Sequence, residues 1–284
     1  MSESRNSYGW VIVGVATLAL VVSNGLSIGG FPPFYKPIRE EFVLLGAVDQ
    51  SHAETFIANG ANIVFLMSGV FSLLGVWLLT RIRLRVLMLV GSVMLGSGLV
   101  LHSQANTAEV VYLARFLMGA SLGFVGVAPN VVLVSNWFSV GRGTALGIVL
   151  TGTSLGGSVV SLLAGPLIAN YGWRNAMLAL SLLVWLVLLP AIMSLVKEKP
   201  PTDNGQIATD ATIDGMTFNQ AVRTPLFWAF AACAALVFYP IFVTLQQFIL
   251  YVRRRRSVSP PNRPRLASRL CSQSASAASF WPAF

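Results

Sequence analysis

Seven stretches of this chain carry no acidic or basic side chain, and their lengths dictate most of what it can fold into. They are residues 6–35, 55–80, 86–108, 116–141, 143–173, 175–196 and 224–252. A helix crosses the hydrocarbon core of a bilayer with roughly 20 apolar residues, and every stretch is long enough. Strands are excluded as the crossing form, because transmembrane strands alternate in polarity and these runs do not. Helices satisfy their backbone groups within the segment, as lipid requires. The expected architecture is an all-α polytopic membrane protein with seven spans. Composition agrees, with 55% hydrophobic and only 10% charged residues, where a soluble domain carries about 25% charged. A cleaved signal peptide is the rival for the first stretch. That stretch exceeds the roughly 7–15 apolar residues of a signal, and no A-x-A-like site follows it.

The net charge of +9 is unevenly spread. Residues 1–252 hold twelve Lys and Arg against ten acids, whereas residues 253–284 hold seven Arg and no acid. The body is nearly neutral, and no nucleic-acid partner is expected. Basic residues in the short connections set orientation. With the N-terminus in the cytoplasm of a cell (inner) membrane protein, the inside receives Arg5, Arg81, Arg83, Arg85, Arg142, Lys197, Lys199 and Arg223. The outside receives only Lys36, Arg39 and Arg174. A seventh span would then place the arginine-rich end on the wrong face. That conflict predicts that residues 253–284 are a basic low-complexity tail outside the native reading frame. The alternative is a disordered tail lying on anionic lipid. The expected division is a six-span unit at 1–196, a cytoplasmic linker at 197–223, a seventh span at 224–252 and the tail. Pro200, Pro201, Gly205 and four acids mark the linker as flexible.

Polar residues inside the spans are the candidate solute contacts. Asn24 and Ser27 share a face of the first span, and Asn59 and Asn62 share a face of the second. Each pair suits either a cavity lining or an interhelical hydrogen bond of about 0.6 kcal/mol. The fourth span carries Arg115, Gly119, Gly123, Gly126 and Asn130 on one face. A charge in the membrane costs at least ~2.5 kcal/mol at mid-depth. Arg115 therefore either attracts an anion or couples a proton, or it reaches headgroups and carbonyls as a structural residue. In the fifth span Gly143, Gly147, Thr151, Ser154, Ser158, Ser161 and Gly165 form a stripe of small residues, the mark of a packing seam. Gly156 lies in the same helix. Two Cys and two His leave no metal cluster or disulfide framework to expect. No phosphate loop, zinc-protease motif or nucleophile elbow occurs, so neither enzyme chemistry nor a cofactor is expected.

The segment Trp137-Phe138-Ser139-Val140-Gly141-Arg142-Gly143-Thr144-Ala145-Leu146-Gly147 resembles the loop and start of the fifth helix in the major facilitator superfamily. The likeness is nearest to its monocarboxylate and oxalate/formate porter branches. Gly152, Gly156, Gly157, Gly165-Pro166 and Tyr171-Gly172-Trp173-Arg174 continue it. Tyr8-Gly9-Trp10 is similar to the end of the monocarboxylate signature, although Arg5 stands where that signature has an acid. Leu113-x-Arg115-x-x-x-Gly119 resembles the fourth-helix pattern, and Arg223-Thr224-Pro225-Leu226-Phe227-Trp228 the start of the seventh helix. The loop between the second and third helices departs from the family pattern. Thr80 replaces its Asp, Val76 and Arg83 replace its glycines, and only the basic residues remain. Arg81, Arg83, Arg85 and Arg142 are the gating-loop residues that the resemblance implies. It further implies the six-helix half of a two-half porter plus one helix, ending early. Such a porter moves a small organic anion by alternating access with a coupling ion or counter-solute. Asn24, Ser27, Asn59, Asn62, Arg115 and Asn130 would face a midplane cavity. Gly119, Gly123, Gly143, Gly147, Gly156 and Gly165 would serve helix packing. The alternative is a non-transporting truncated membrane protein or a half-sized subunit, stabilised by self-association or by a missing C-terminal half.

Overall fold

The computed structural model describes residues 2–138, 141–197, 220, 222–237 and 240. The chain divides into two compact units, Met1–Pro201 and Thr202–Phe284. Among its described residues the first unit contains helices and short connections and no strand. Helix α1 spans Ser2–Asn24 and runs into a wide turn at Gly25–Gly29, followed by α2 at Pro32–Leu44 and α3 at Ala53–Leu78. Next come α4 at Leu84–Ser103, α5 at Ala108–Val125 and α6 at Val127–Trp137. Helix α7 covers Arg142–Leu182 and passes through a second wide turn, Leu183–Leu188, into α8 at Leu189–Leu195.

Five continuous helical runs are long and apolar enough to cross a membrane, the last being Arg142–Leu195 with 54 residues. At 1.5 Å per residue that run would extend about 81 Å, far beyond a core of roughly 30 Å. It is two crossings joined at Gly172, whose φ of 77° and ψ of 164° are not helical. The packing partners show the reversal. Before Gly172, Gly152 lies on Thr17, Gly156 on Val21 and Ser161 on Gly29, so this part runs parallel to α1. After Gly172, Arg174 meets the end of α4 at Ser103, Trp185 covers Gly96, and Met193 accepts from Arg85 at the start of α4. This part is antiparallel to α4. Divided at Gly172, the five runs give six long helical segments among the described residues of the first unit.

Glycine brings the helices together. A Cβ on Gly119 would stand 2.7 Å from the Val64 carbonyl oxygen, and one on Gly152 would stand 2.7 Å from that of Thr17. Without a side chain, the backbones of α5 and α3, and of α7 and α1, approach within direct van der Waals reach. The Gly25–Gly29 turn continues the α1–α7 seam, since Gly25 meets Gly156 and Gly29 meets Gly157. Helix α2 buries Phe34, Ile38 and Phe42, one face at four-residue spacing.

The break between α5 and α6 has a local cause. Pro129 has no N–H to give the Val125 carbonyl four residues earlier. Asn130 Nδ2 supplies the donor instead, at 2.8 Å, and also reaches Gly126 O at 2.7 Å. Together α5 and α6 form one crossing, Ala108–Trp137.

In the second unit the described part of the expected seventh span is α9, Pro225–Val237, an apolar helix shorter than a crossing. Apart from Thr224 and Pro240, the rest of 224–252 falls outside the described residues, as do nearly all of the linker and the basic tail.

Candidate substrate site

Arg115 stands on the second turn of α5, and it is 3% exposed. Its guanidinium carbon lies 3.3 Å from the centroid of the Phe31 ring and 5.9 Å from that of Tyr35. Gly60 of α3 leaves room for its stem, since a Cβ there would stand 3.7 Å from Cγ. Among the described residues no carboxylate pairs with Arg115, and its Nε has no hydrogen-bond partner. Aromatic faces stabilise a desolvated guanidinium by about 2 kcal/mol. They supply no acceptor for its N–H groups.

Phe31 has a second polar neighbour. The His102 ring, at the end of α4, is fully buried with its centroid 5.5 Å from that of Phe31. Trp173 meets the same imidazole edge-on at 6.1 Å. Neither ring nitrogen of His102 has a partner. Above this layer Arg174 ties three segments together. Its Nε donates to Glu41 of α2 at 2.9 Å, Nη1 to Ser103 O at 2.9 Å and Nη2 to Ala105 O at 2.8 Å. The cation thereby satisfies the carbonyls at the C-terminal end of α4, where positive charge is favoured. Trp173 Nε1 donates to the same Glu41 carboxylate.

The polar residues singled out from the sequence scatter around this core. Ser27 is buried and its Oγ has no partner, as is true of Asn24 Nδ2 and of the neighbouring Ser23 Oγ. Asn59 and Asn62 are exposed on α3, on either side of the Gly60 that receives Arg115. Asn130 is buried with both its amide contacts on the α5–α6 break, and its Oδ1 is unpartnered. The loop arginines lie at the end of the bundle that holds the start of α1. Arg81 rests 5.4 Å over the Trp77 ring, Arg83 precedes α4, Arg85 donates to Met193 O, and Arg142 is exposed at the start of α7. Gly119, Gly123 and Gly156 sit against backbone of neighbouring helices, whereas Gly143, Gly147 and Gly165 have open space beside them.

His102, Phe31 and Glu41 escaped the sequence reading, and Arg174 entered it only as a loop charge and as the end of the Tyr171–Arg174 motif. A histidine in an apolar run carries no partner information. The signal for Arg174 was available in its position, one residue past Trp173 and beside a turn.

The Major Facilitator Superfamily profile matches residues 15–268, so the match continues into the arginine-rich segment. The chain belongs to the Major Facilitator Superfamily. Among curated proteins it is similar to the riboflavin transporter RibJ of Trypanosoma brucei brucei, at 27% identity over 57% of this chain and 29% of that protein. It is also similar to monocarboxylate transporter 13 of Rattus norvegicus, at 30% identity over 39% of this chain and 26% of that protein. A third relative is the MFS-type transporter dbaD of Emericella nidulans, at 32% identity over 55% of this chain and 35% of that protein. The chain thus spans about a third of the length of the curated relatives it matches. These relatives are transporters, and the chain is an integral membrane protein of that family.

Proposed function

We propose that this chain forms one wall of a secondary transporter for a small organic anion such as a monocarboxylate, working by alternating access. The observation that carries the reading is Arg115, a buried cation in a membrane span that has aromatic neighbours and no acid. A charge at the centre of a membrane helix costs roughly 2.5–3.5 kcal/mol, and a buried cation within a span is retained for a partner. A solute anion is the partner that this surrounding lacks. Asn24, Ser27, Asn59 and Asn62 supply further hydrogen bonds, and Asn59 and Asn62 need an opposite wall to enclose a solute. A second helical half provides that wall in this reading. The N-terminus lies in the cytoplasm of a cell membrane, and a gradient of an ion or a counter-solute drives movement.

The test is binding by the purified chain in lipid nanodiscs, titrated separately with pyruvate and with riboflavin. Saturable pyruvate binding that Arg115→Gln abolishes supports the proposal. Riboflavin binding with no response to carboxylates overturns it in favour of a neutral aromatic substrate. In proteoliposomes the 284-residue chain alone is expected to give no saturable uptake. Saturable uptake there would remove the need for a second half.

A further inference from the structure

We propose that His102 is a second ligand-binding residue of the anion site, donating one hydrogen bond to the carboxylate that Arg115 attracts. This rests on the reading of Arg115 given above and adds to it a residue on a different helix.

Three observations lead to it. First, His102 is fully buried in an apolar layer, yet both its ring nitrogens lack partners. A buried polar group without a partner loses about 1–3 kcal/mol of solvation, and a fully apolar ring of the same shape would avoid that loss. Second, the other stripped donor of this layer is Arg115 Nε. Both residues rest on one ring, Phe31, with Arg115 at 3.3 Å and His102 at 5.5 Å from its centroid. Third, the Glu41–Arg174 pair, which contacts Trp173 beside His102, is already committed. Glu41 and Arg174 satisfy each other and the α4 carbonyls, so neither takes up a His102 nitrogen. An imidazole keeps at least one N–H in either tautomer and so can donate to an oxygen. A carboxylate has two oxygens, one for the guanidinium and one for the imidazole. Phe31 covers both donors in this conformation, and its displacement would admit the ligand. The ligand class is a compact monocarboxylate, because the layer around the two donors is aromatic and, among the described residues, Arg174 beside it is already committed and offers nothing to a second acidic group.

The chain contains only two histidines, His52 in an exposed turn and His102. That makes a direct test practical. The wild-type chain, labelled with 15N in its imidazoles and held in lipid nanodiscs, is mixed with pyruvate labelled with 13C at the carboxylate. Dipolar dephasing between the His102 nitrogen and the carboxylate carbon, absent at His52, is the expected result. In parallel, His102→Phe should raise the pyruvate Kd about tenfold, the equivalent of one lost hydrogen bond. His102→Asn, which keeps a donor, should raise it less. Dephasing at neither histidine, with pyruvate binding that still requires Arg115 and is unchanged in His102→Phe, overturns the role of His102 alone. Pyruvate that does not bind, or that binds equally to Arg115→Gln, overturns both this inference and the reading on which it rests. The dephasing measurement uses the wild-type chain and decides the matter even where a variant fails to fold.

Discussion

Asn130 Nδ2 donates to the carbonyl of Val125, the one carbonyl that Pro129 leaves without its helical donor. A side chain thus completes the backbone of a broken crossing in the middle of the bundle. Asn130→Ala strips donors from Val125 and Gly126, and it should destabilise the chain by about 1–3 kcal/mol. In Pro129→Ala/Asn130→Ala the backbone N–H returns at position 129, and part of that loss should be recovered. A double-mutant cycle measured by unfolding in mixed micelles reads the coupling. Additive effects would show that the contact does not compensate for the proline.

The glycines of α7 should separate into two groups. Gly156→Val drives a side chain into the α1 backbone at Val21 and should cost about 1–3 kcal/mol or more. Gly143→Ala, Gly147→Ala and Gly165→Ala enter open space and should leave the stability of the first unit within about 0.5 kcal/mol. Melting of the purified variants in one detergent checks both statements. Equal losses in the two groups would contradict the helix rotation described.

Arg174 holds α2, the end of α4 and the start of the sixth crossing with one guanidinium. Arg174→Ala should lose about 1–3 kcal/mol, a range that already allows for its partial exposure. Arg174→Lys should recover only a fraction, because an ammonium cannot span three acceptors in the same plane. Hydrogen exchange should rise first at the 103–106 turn. Unchanged exchange there would mean that the turn is held by something other than Arg174.

Topology can be checked by labelling. In a Cys233→Ser/Cys271→Ser background, an impermeant maleimide should label Gln104→Cys on intact cells and Thr80→Cys only after permeabilisation. Both positions are exposed and lie at opposite ends of the bundle. The reverse pattern would invert the orientation expected from the basic loops.

The crossings were legible in the sequence because one physical rule governs them, the cost of charge in lipid. That rule is local, so each interval between charges in 6–196 overlaps one long apolar helical segment. The joint between the fifth and sixth crossings was less visible. Charge placed it at Arg174, whereas the chain turns at Gly172, where only the backbone torsion matters. The packing face of α7 departs from the expectation for a related reason. The stripe through Gly147, Thr151 and Ser158 was expected to be the seam, yet it is exposed, and the buried face runs through Ala145, Gly152 and Gly156. Only the position of α1 selects the second for burial. The Arg115 charge announced itself, but its aromatic surroundings come from Phe31, just before α2, and Tyr35 within it, some 80 residues away in sequence. His102 and the Arg174–Glu41 tie depend entirely on such distant partners, and no spacing pattern encodes them.

A turn made by a single glycine has a consequence for how this chain is synthesised. Between the fifth and sixth crossings no polar loop exists to be carried across the bilayer. In the orientation proposed above, the two helices can enter lipid together as a closed hairpin, with Arg174 the one charge to translocate and Glu41 its partner on arrival. Lengthening that junction with a tag or epitope would turn a concerted insertion into two separate ones, and a late-born helix pair would lose its guide.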